Sequence, residues 1–174
     1  ALYCSGVRAS ELLGVDLDDL DLTEGRFVVT GKGNRQRMAF LGPDAVIALA
    51  QWLAVRDAEG TALFVNEKLR TRLTLMGLWK IITRRAAEAG ITRHVHAHMF
   101  RHACASHMLR HGADLRSIQL VLGHRNLNTT QVYLAVDDDR LRSVHAQSHP
   151  RGHATDRTLR IAGGTRAMDG DDTA

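Results

Sequence analysis

The stretch GRFVVTGKGNRQRMAFLG, residues 25–42, constrains the fold more than any other part of the sequence. Two short runs of β-branched and aromatic residues flank the turn sequence GKGN, which is typical of an antiparallel hairpin. The preceding run VDLDDLDL supplies a further strand. We therefore predict a small antiparallel sheet of three strands, with Lys32 in the turn between the second and the third.

Helix boundaries follow from local end signals in the remaining sequence. Pro43 suits the first turn of a helix, Asp114 suits an N-cap, and a glycine follows several of the helical patterns. After a turn at residues 5–6, we predict helices over residues 9–13, 43–56, 74–89, 98–111 and 115–122, one beginning at Asn128, and a last one beginning in the run DDD at 137–139. The fold class is therefore α+β, mostly helical with a small three-stranded antiparallel sheet.

Basic residues are concentrated in one part of the chain. The net charge is only +4, but residues 84–125 contain seven arginines against two acids. A local excess of this kind favours a polyanionic partner, above all nucleic acid, because binding releases counterions. A solvated basic face is the alternative, and composition alone does not separate the two.

Several classes of protein are not favoured by the sequence. There is no apolar run of about 18 residues that could span a bilayer, and the first residues do not form a signal peptide. The two cysteines, Cys4 and Cys104, lie far apart in apolar contexts. This indicates reduced thiols and not a disulfide scaffold, so we expect a cytoplasmic protein with no membrane partner.

Six of the ten histidines lie in HVHAHMFRHACASHMLRHG, residues 94–112. A metal site, a solvated basic face and a pocket that grips phosphate could each explain them. His98 and Arg101 share a face at the start of the predicted helix, where free backbone N–H groups add positive potential. The pairs His98/His102 and His107/His111 have the spacing of metal ligands, but no carboxylate or cysteine accompanies them.

Three separated motifs resemble signatures of the tyrosine recombinases, the phage integrase family. YCSGVRASELLGV resembles the first signature and places its arginine and acid at Arg8 and Glu11. GKGNRQRMAFL resembles the family's β-turn and places its lysine at Lys32. HMFRHACASHMLRHGADLRSIQLVLGHRNLNTTQVY resembles the second signature, with matches at His98, Arg101, His124 and Tyr133. The runs RHGADLR and NTTQVY are most similar to the Xer-type branch.

The resemblance implies an enzyme that cuts and rejoins DNA without ATP, metal or cofactor. Its tyrosine attacks a DNA phosphodiester, forms a 3′-phosphotyrosyl link and frees a 5′-hydroxyl, which later attacks a partner strand's link. The implied roles are Tyr133 as nucleophile, Arg8 and Arg101 as phosphate clamps, Lys32 as general acid, His98 in proton transfer, His124 as a phosphate hydrogen-bond donor and Glu11 as a support for the cluster.

The resemblance also implies a domain organisation. Residues 1–149 are expected to form a catalytic domain that lacks its start and an upstream helical domain, and residues 150–174 a disordered tail. Family members act as tetramers on double-stranded DNA, with a C-terminal segment docked on a neighbour. Residues 137–149 are the candidate for that segment.

Alternatives remain open at this level. The chain could be a non-catalytic DNA-binding remnant of a mobile-element integrase, a metal-dependent hydrolase or a tyrosine-type topoisomerase. Trp52 and Trp79 are expected to pack in the core, together with five residues of the histidine-rich helix: Met99, Phe100, Ala103, Cys104 and Met108. Arg35 and Arg37 flank the hairpin, where they would either touch a DNA backbone or be solvated.

Overall fold

Seven helices and one small sheet make up the part of the chain that the computed structural model describes, residues 1–123 and 138–151. The strands are β1 (Leu20–Asp21), β2 (Arg26–Gly31) and β3 (Arg35–Phe40). The helices are α1 (Leu2–Ser5), α2 (Ala9–Leu13), α3 (Pro43–Val55), α4 (Leu75–Glu88), α5 (Ala97–Arg110), α6 (Leu115–Leu122) and α7 (Asp138–Ser148). The predicted α+β class is confirmed.

The sheet has the predicted hairpin at its centre. The strand order is β1-β2-β3 with both pairs antiparallel, and the register of β2 with β3 runs from Arg26 opposite Phe40 to Gly31 opposite Arg35. Gly33 (φ 80°) and Asn34 (φ 56°) take left-handed conformations in the connecting turn, which glycine and asparagine tolerate best. Lys32 is therefore carried on an exposed hairpin tip.

The first strand is shorter than the sequence pattern indicates. Within VDLDDLDL only Leu20 and Asp21 pair with β2, while residues 17–19 form a single 3₁₀ turn. The Asp16 backbone N–H donates to the Asp19 carboxylate over 2.9 Å. Aspartate side chains that bind nearby backbone groups compete with strand pairing, and this local capping explains the lost strand residues.

Helix ends agree with the predicted signals to within about one residue. Pro43 is the first residue of α3. Thr74 caps α4 by accepting from the Gly77 N–H over 3.1 Å, and Asp114 caps α6 by accepting from the Ser117 N–H over 2.9 Å. Gly123 closes α6 in the left-handed conformation. The helix predicted from Asn128 lies outside the described residues.

Two apolar clusters hold the described residues together. One lies between the sheet, α2 and α3 and includes Phe27, Val29 and Leu49. The other lies among α5, α6 and α7 and includes Met108 and Val121. The short α1 packs against α5 and connects the two clusters. None of the described helices combines the length and apolar character that a membrane span requires.

The packing predictions hold only in part. Trp52 packs on Phe64 and donates its indole N–H to the Leu63 carbonyl over 2.9 Å. Trp79 is 44% exposed, so its predicted burial is wrong, because no described residue covers that face of α4. In α5, Cys104 and Met108 are fully buried, whereas Met99, Phe100 and Ala103 are half-buried.

The last helix packs on its own chain. α7 lies against β3, α5 and α6, and Arg142 binds Glu24. His145 and His149 are 2% and 1% exposed, and each ring bonds a backbone carbonyl of α1, that of Cys4 and Tyr3 respectively. The buried side chains of this helix are thus used within the same chain, and the docking of residues 137–149 on a neighbouring subunit stays a prediction.

We expect this interface to make stability fall in mild acid. Burial lowers the pKa of His145, and burial together with the facing His145 lowers that of His149 to about 4. The unfolded chain therefore binds protons that the native state does not bind, and stability is lost as pH falls from about 6.5 to about 4. A tenfold change in proton affinity corresponds to about 1.4 kcal/mol, so His149 alone accounts for a loss of folding free energy on the order of 3 kcal/mol.

Thermal unfolding followed by circular dichroism between pH 7.5 and pH 4 measures this effect. The double variant His145→Gln/His149→Gln should show a smaller loss of melting temperature over that range. His111→Gln, which changes an exposed histidine, should behave as the wild type. An unchanged acid sensitivity in the double variant would contradict the assignment.

Candidate active site

Arg8 is placed by a tight turn between the first two helices. Gly6 ends α1 in a left-handed conformation (φ 62°), and a β-carbon there would lie 2.6 Å from Leu122 Cδ2 and 3.0 Å from Cys104 Sγ. Only glycine allows the turn to approach α5 and α6 so closely. Val7 is buried, and Arg8 follows it as the N-cap of α2. The turn therefore places Arg8 beside α5.

Glu11 braces Arg8 from within α2. Its carboxylate accepts from the Arg8 backbone N–H over 2.9 Å and from Arg8 Nη1 over 2.8 Å, while its side chain is 4% exposed. Burial by itself would raise the pKa of Glu11, but the Arg8 N–H and the guanidiniums of Arg37 and Arg8 outweigh it and lower the pKa. Glu11 is therefore a buried anion that fixes Arg8.

Arg101 is held from below by backbone carbonyls. The residue is 5% exposed, and its guanidinium donates to Gly6 O over 2.6 Å and to Leu122 O over 2.8 Å. Burial, with added repulsion from Arg8 and Arg37, lowers its pKa to about 10. Arg101 therefore remains a cation at neutral pH, and N–H groups not used by the carbonyls are left for another acceptor.

His98 lies in the first turn of α5, one helical turn before Arg101. It is exposed, and its ring meets His102 edge to face with the ring centroids 4.7 Å apart. Partial desolvation of the ring at the mouth of the cavity, with the charges of His102 and Arg101 next in importance, lowers the pKa of His98. The imidazole is therefore neutral at neutral pH and able to accept a proton.

These residues meet at one cavity of about 240 Å³. It lies where the start of α2 faces the start of α5, and the free N–H groups of a helix start add positive potential there. Its lining consists of Val7, Arg8, Ala9, Ser10, Leu75, Ala97, His98 and Arg101. The structure thus brings together three of the six predicted catalytic residues, with Glu11 directly behind them.

The other three predicted residues are not part of this lining. Lys32 is exposed on the hairpin tip. The base of that hairpin lies close to the cavity, since a β-carbon built on Gly31 would be 3.5 Å from Glu11 Oε1. His124 and Tyr133 lie outside the described residues.

Sequence reasoning missed Arg37, the second guanidinium on Glu11. Arg37 Nη2 donates to Glu11 Oε2 over 2.8 Å, and the side chain is 20% exposed. Arg37 is therefore not a solvated strand end, whereas Arg35 is exposed, and contact of either residue with DNA stays a prediction. Counting back from the turn would have found it, because Arg37 lies opposite the buried Val29, and paired residues share a face of the sheet.

The histidines of α5 do not converge on a metal-ligand set. Across the described residues, no group of three or more His, Cys, Asp or Glu side chains is arranged to hold a metal ion. Of the second predicted pair, His107 Nδ1 lies 2.7 Å from the Tyr3 hydroxyl, and His111 Nδ1 bonds the His107 carbonyl. These contacts give the two histidines structural roles within the chain.

An α+β domain in which two guanidiniums and an imidazole face one cavity has a cationic pocket suited to binding a phosphate group. The profile of the phage integrase family matches residues 1–140, and the chain belongs to this family. The sequence is 41% identical over 153 residues to tyrosine recombinase XerC of Escherichia coli O1:K1 / APEC, which covers 86% of this chain and 51% of the relative. The chain thus spans about half the length of the curated relatives that it matches.

Solved structures give the same result. A crystal structure of XerA recombinase superposes with a TM-score of 0.67 at 36% identity, covering 86% of this chain and 56% of that one. XerH recombinase, solved bound to its difH substrate before cleavage, superposes with a TM-score of 0.62 at 31% identity, covering 83% of this chain and 43% of that one. The predicted membership of the phage integrase family is confirmed.

Proposed function

We propose that this chain carries the catalytic domain of a site-specific DNA recombinase that cuts and rejoins strands through a 3′-phosphotyrosyl intermediate. The observation that carries the proposal is the convergence of Arg8, Arg101 and a neutral His98 on one cavity. Two guanidiniums match the two nonbridging oxygens of a phosphodiester, and fixed cations stabilise the charge that grows on them in the transition state.

Each bond change in the proposed reaction is balanced. The Tyr133 oxygen attacks phosphorus and loses its proton, for which His98 is the acceptor. The bond from phosphorus to the 5′-oxygen breaks, and Lys32 protonates the leaving oxygen to give a 5′-hydroxyl. The energy of the broken phosphodiester is kept in the phosphotyrosyl bond, so a second 5′-hydroxyl can reverse the step without ATP.

The remaining assignments belong to the same proposal. His124 would donate a hydrogen bond to a phosphate oxygen, and Glu11 would hold Arg8. Residues 1–149 would form one catalytic domain, with residues 150–174 as a C-terminal extension, and the protein would act in the cytoplasm. The partners would be double-stranded DNA and further recombinase subunits in a tetramer; the XerH relative was solved bound to its difH substrate.

A trapped covalent adduct tests the proposal. The full 174-residue chain is incubated with a pool of nicked duplexes of randomised sequence, in EDTA and without ATP. A nick beside the cleaved bond lets the short 5′-hydroxyl fragment escape, which traps the adduct. We expect a band that survives SDS and disappears on protease treatment.

The other outcomes separate the competing functions. DNA binding with no adduct would favour a non-catalytic DNA-binding remnant. Cleavage that EDTA abolishes would favour a metal-dependent hydrolase. Formation of the adduct together with relaxation of a supercoiled plasmid, but without joining of two partner duplexes, would favour a topoisomerase.

A further inference from the structure

Arg37 is a half-buried cation for which the roles given above do not account. It lies on β3 with its side chain 20% exposed, whereas Arg35 on the same strand is exposed. Burial lowers the pKa of Arg37, and the charge of Glu11 opposes that effect. Removing a cation from water is costly unless it is paired. The partners of Arg37 therefore indicate its role.

The first contact joins Arg37 to the brace behind the cavity. Arg37 Nη2 donates to Glu11 Oε2 over 2.8 Å, while the other carboxylate oxygen, Oε1, accepts from Arg8 Nη1 over 2.8 Å. Glu11 is therefore shared between a guanidinium that lines the cavity and one that does not. Without Arg37, Glu11 would be able to move together with Arg8. The position of Arg8 would then no longer be fixed relative to the sheet.

The second contact joins Arg37 to the end of α6. Arg37 Nη1 donates to the Val121 carbonyl over 3.3 Å, and Arg101 Nη2 donates to the next carbonyl, that of Leu122, over 2.8 Å. A β-carbon on Gly123 would lie only 2.3 Å from Arg37 Nε. Two guanidiniums thus fix the last turn of α6, and one of them rests directly on the glycine that ends it.

We propose that Arg37 is a positioning residue that couples the two halves of the active site. Through Glu11 it sets Arg8, and through the Val121 carbonyl and Gly123 it holds the end of α6, whose Leu122 carbonyl binds Arg101. Arg37 does not contact the phosphate in this scheme. The inference rests on the proposed function, since it assigns Arg37 to the same reaction.

Arg37→Gln tests the coupling, because glutamine keeps an amide donor but loses the charge and the fork. With the nicked duplexes on which the wild type forms the covalent adduct, we expect the single-turnover rate of adduct formation at saturating DNA to fall about 10- to 100-fold, the range for partners that orient a functional group. The DNA concentration that gives half the maximal rate should stay close to that of the wild type. Arg35→Gln, on the same strand, should leave the maximal rate unchanged.

A double-mutant cycle separates positioning from a general loss of structure. If Arg37 acts through Glu11, Arg37→Gln/Glu11→Gln should be about as slow as the slower single variant. The Gly123 backbone amide resonance should move in Arg37→Gln and stay in place in Arg35→Gln. If Arg37→Gln does not fold, Arg37→Lys replaces it, because lysine keeps a positive charge beside Glu11 but lacks the fork. Its maximal rate should fall less than expected for Arg37→Gln, again with little change in the DNA concentration that gives half the maximal rate.

The outcomes distinguish this inference from the function on which it rests. A wild-type chain that forms no adduct overturns both. A wild type that forms the adduct, with Arg37→Gln equally fast, or with rate losses in the cycle that simply multiply, overturns the role of Arg37 alone.

Discussion

Replacing Tyr133 by Phe is expected to abolish the covalent protein–DNA adduct, with a loss of about 10⁴-fold or more in its rate of formation. The variant keeps the ring but has no oxygen to attack phosphorus. A phenol has a pKa of about 10 and is a weak nucleophile at neutral pH. The cationic cavity lined by Arg8 and Arg101 would favour the phenolate and hold the phosphate. Single-turnover trapping with an end-labelled nicked duplex measures the loss.

The chain offers a matched control in its only other tyrosine, Tyr3. Its hydroxyl lies 2.7 Å from His107 Nδ1 in the contact between α1 and α5. Tyr3→Phe removes that hydrogen bond, so it should cost about 1 kcal/mol of stability and leave adduct formation intact. Tyr133→Phe should still shift DNA in a gel. A persistent adduct in Tyr133→Phe would mean that another residue is the nucleophile.

Elements with local end signals could be predicted from the sequence. The hairpin, the start of α3 at Pro43 and the caps of α6 at Asp114 and Gly123 all depend on residues within one turn of the boundary. The strand predicted over VDLDDLDL is too long because local side-chain contacts at that run also decide its structure. Alternating aspartates read as a strand pattern, but their carboxylates bind backbone N–H groups a few residues away, and periodicity does not reveal that competition.

The site could be predicted as a set of residues but not as an arrangement. Motif order selected Arg8, Glu11 and Arg101, and the structure places them together. The partners of Arg101 are carbonyls 95 and 21 residues away in sequence. No local pattern encodes such long-range contacts, because they exist only once α1, α5 and α6 have packed.

The partial or complete burial of charged and polar groups could not be predicted from the sequence. Arg37 and His149 are polar residues in polar contexts, and such residues are usually exposed. His149 is buried and Arg37 is half-buried because a distant element supplies the partner of each, which is the Tyr3 carbonyl for His149 and Glu11 for Arg37. Trp79 shows the reverse case, since an apolar residue at a helical spacing is exposed where no described residue covers it.

Arg101→Ala is expected to reduce adduct formation about 10³-fold, whereas Arg110→Ala, on the same helix, should leave it near the wild-type rate. Only Arg101 lines the cavity; Arg110 is exposed at the other end of α5. Removing a fixed cation that faces the phosphate removes stabilisation present mainly in the transition state. Rates measured by adduct trapping at saturating DNA compare the two variants.

The loss in Arg101→Ala must be separated from loss of fold, because Arg101 also holds the carbonyls of Gly6 and Leu122. Two buried carbonyls left without donors would cost about 1–3 kcal/mol each, so the assay is run well below the measured melting temperature of each variant. Arg101→Lys retains one charge but cannot bond two carbonyls and a phosphate together, so it should be intermediate. Equal losses in Arg101→Ala and Arg110→Ala would refute the pocket, because charge anywhere on α5 would then suffice and the orientation of the guanidinium would not matter.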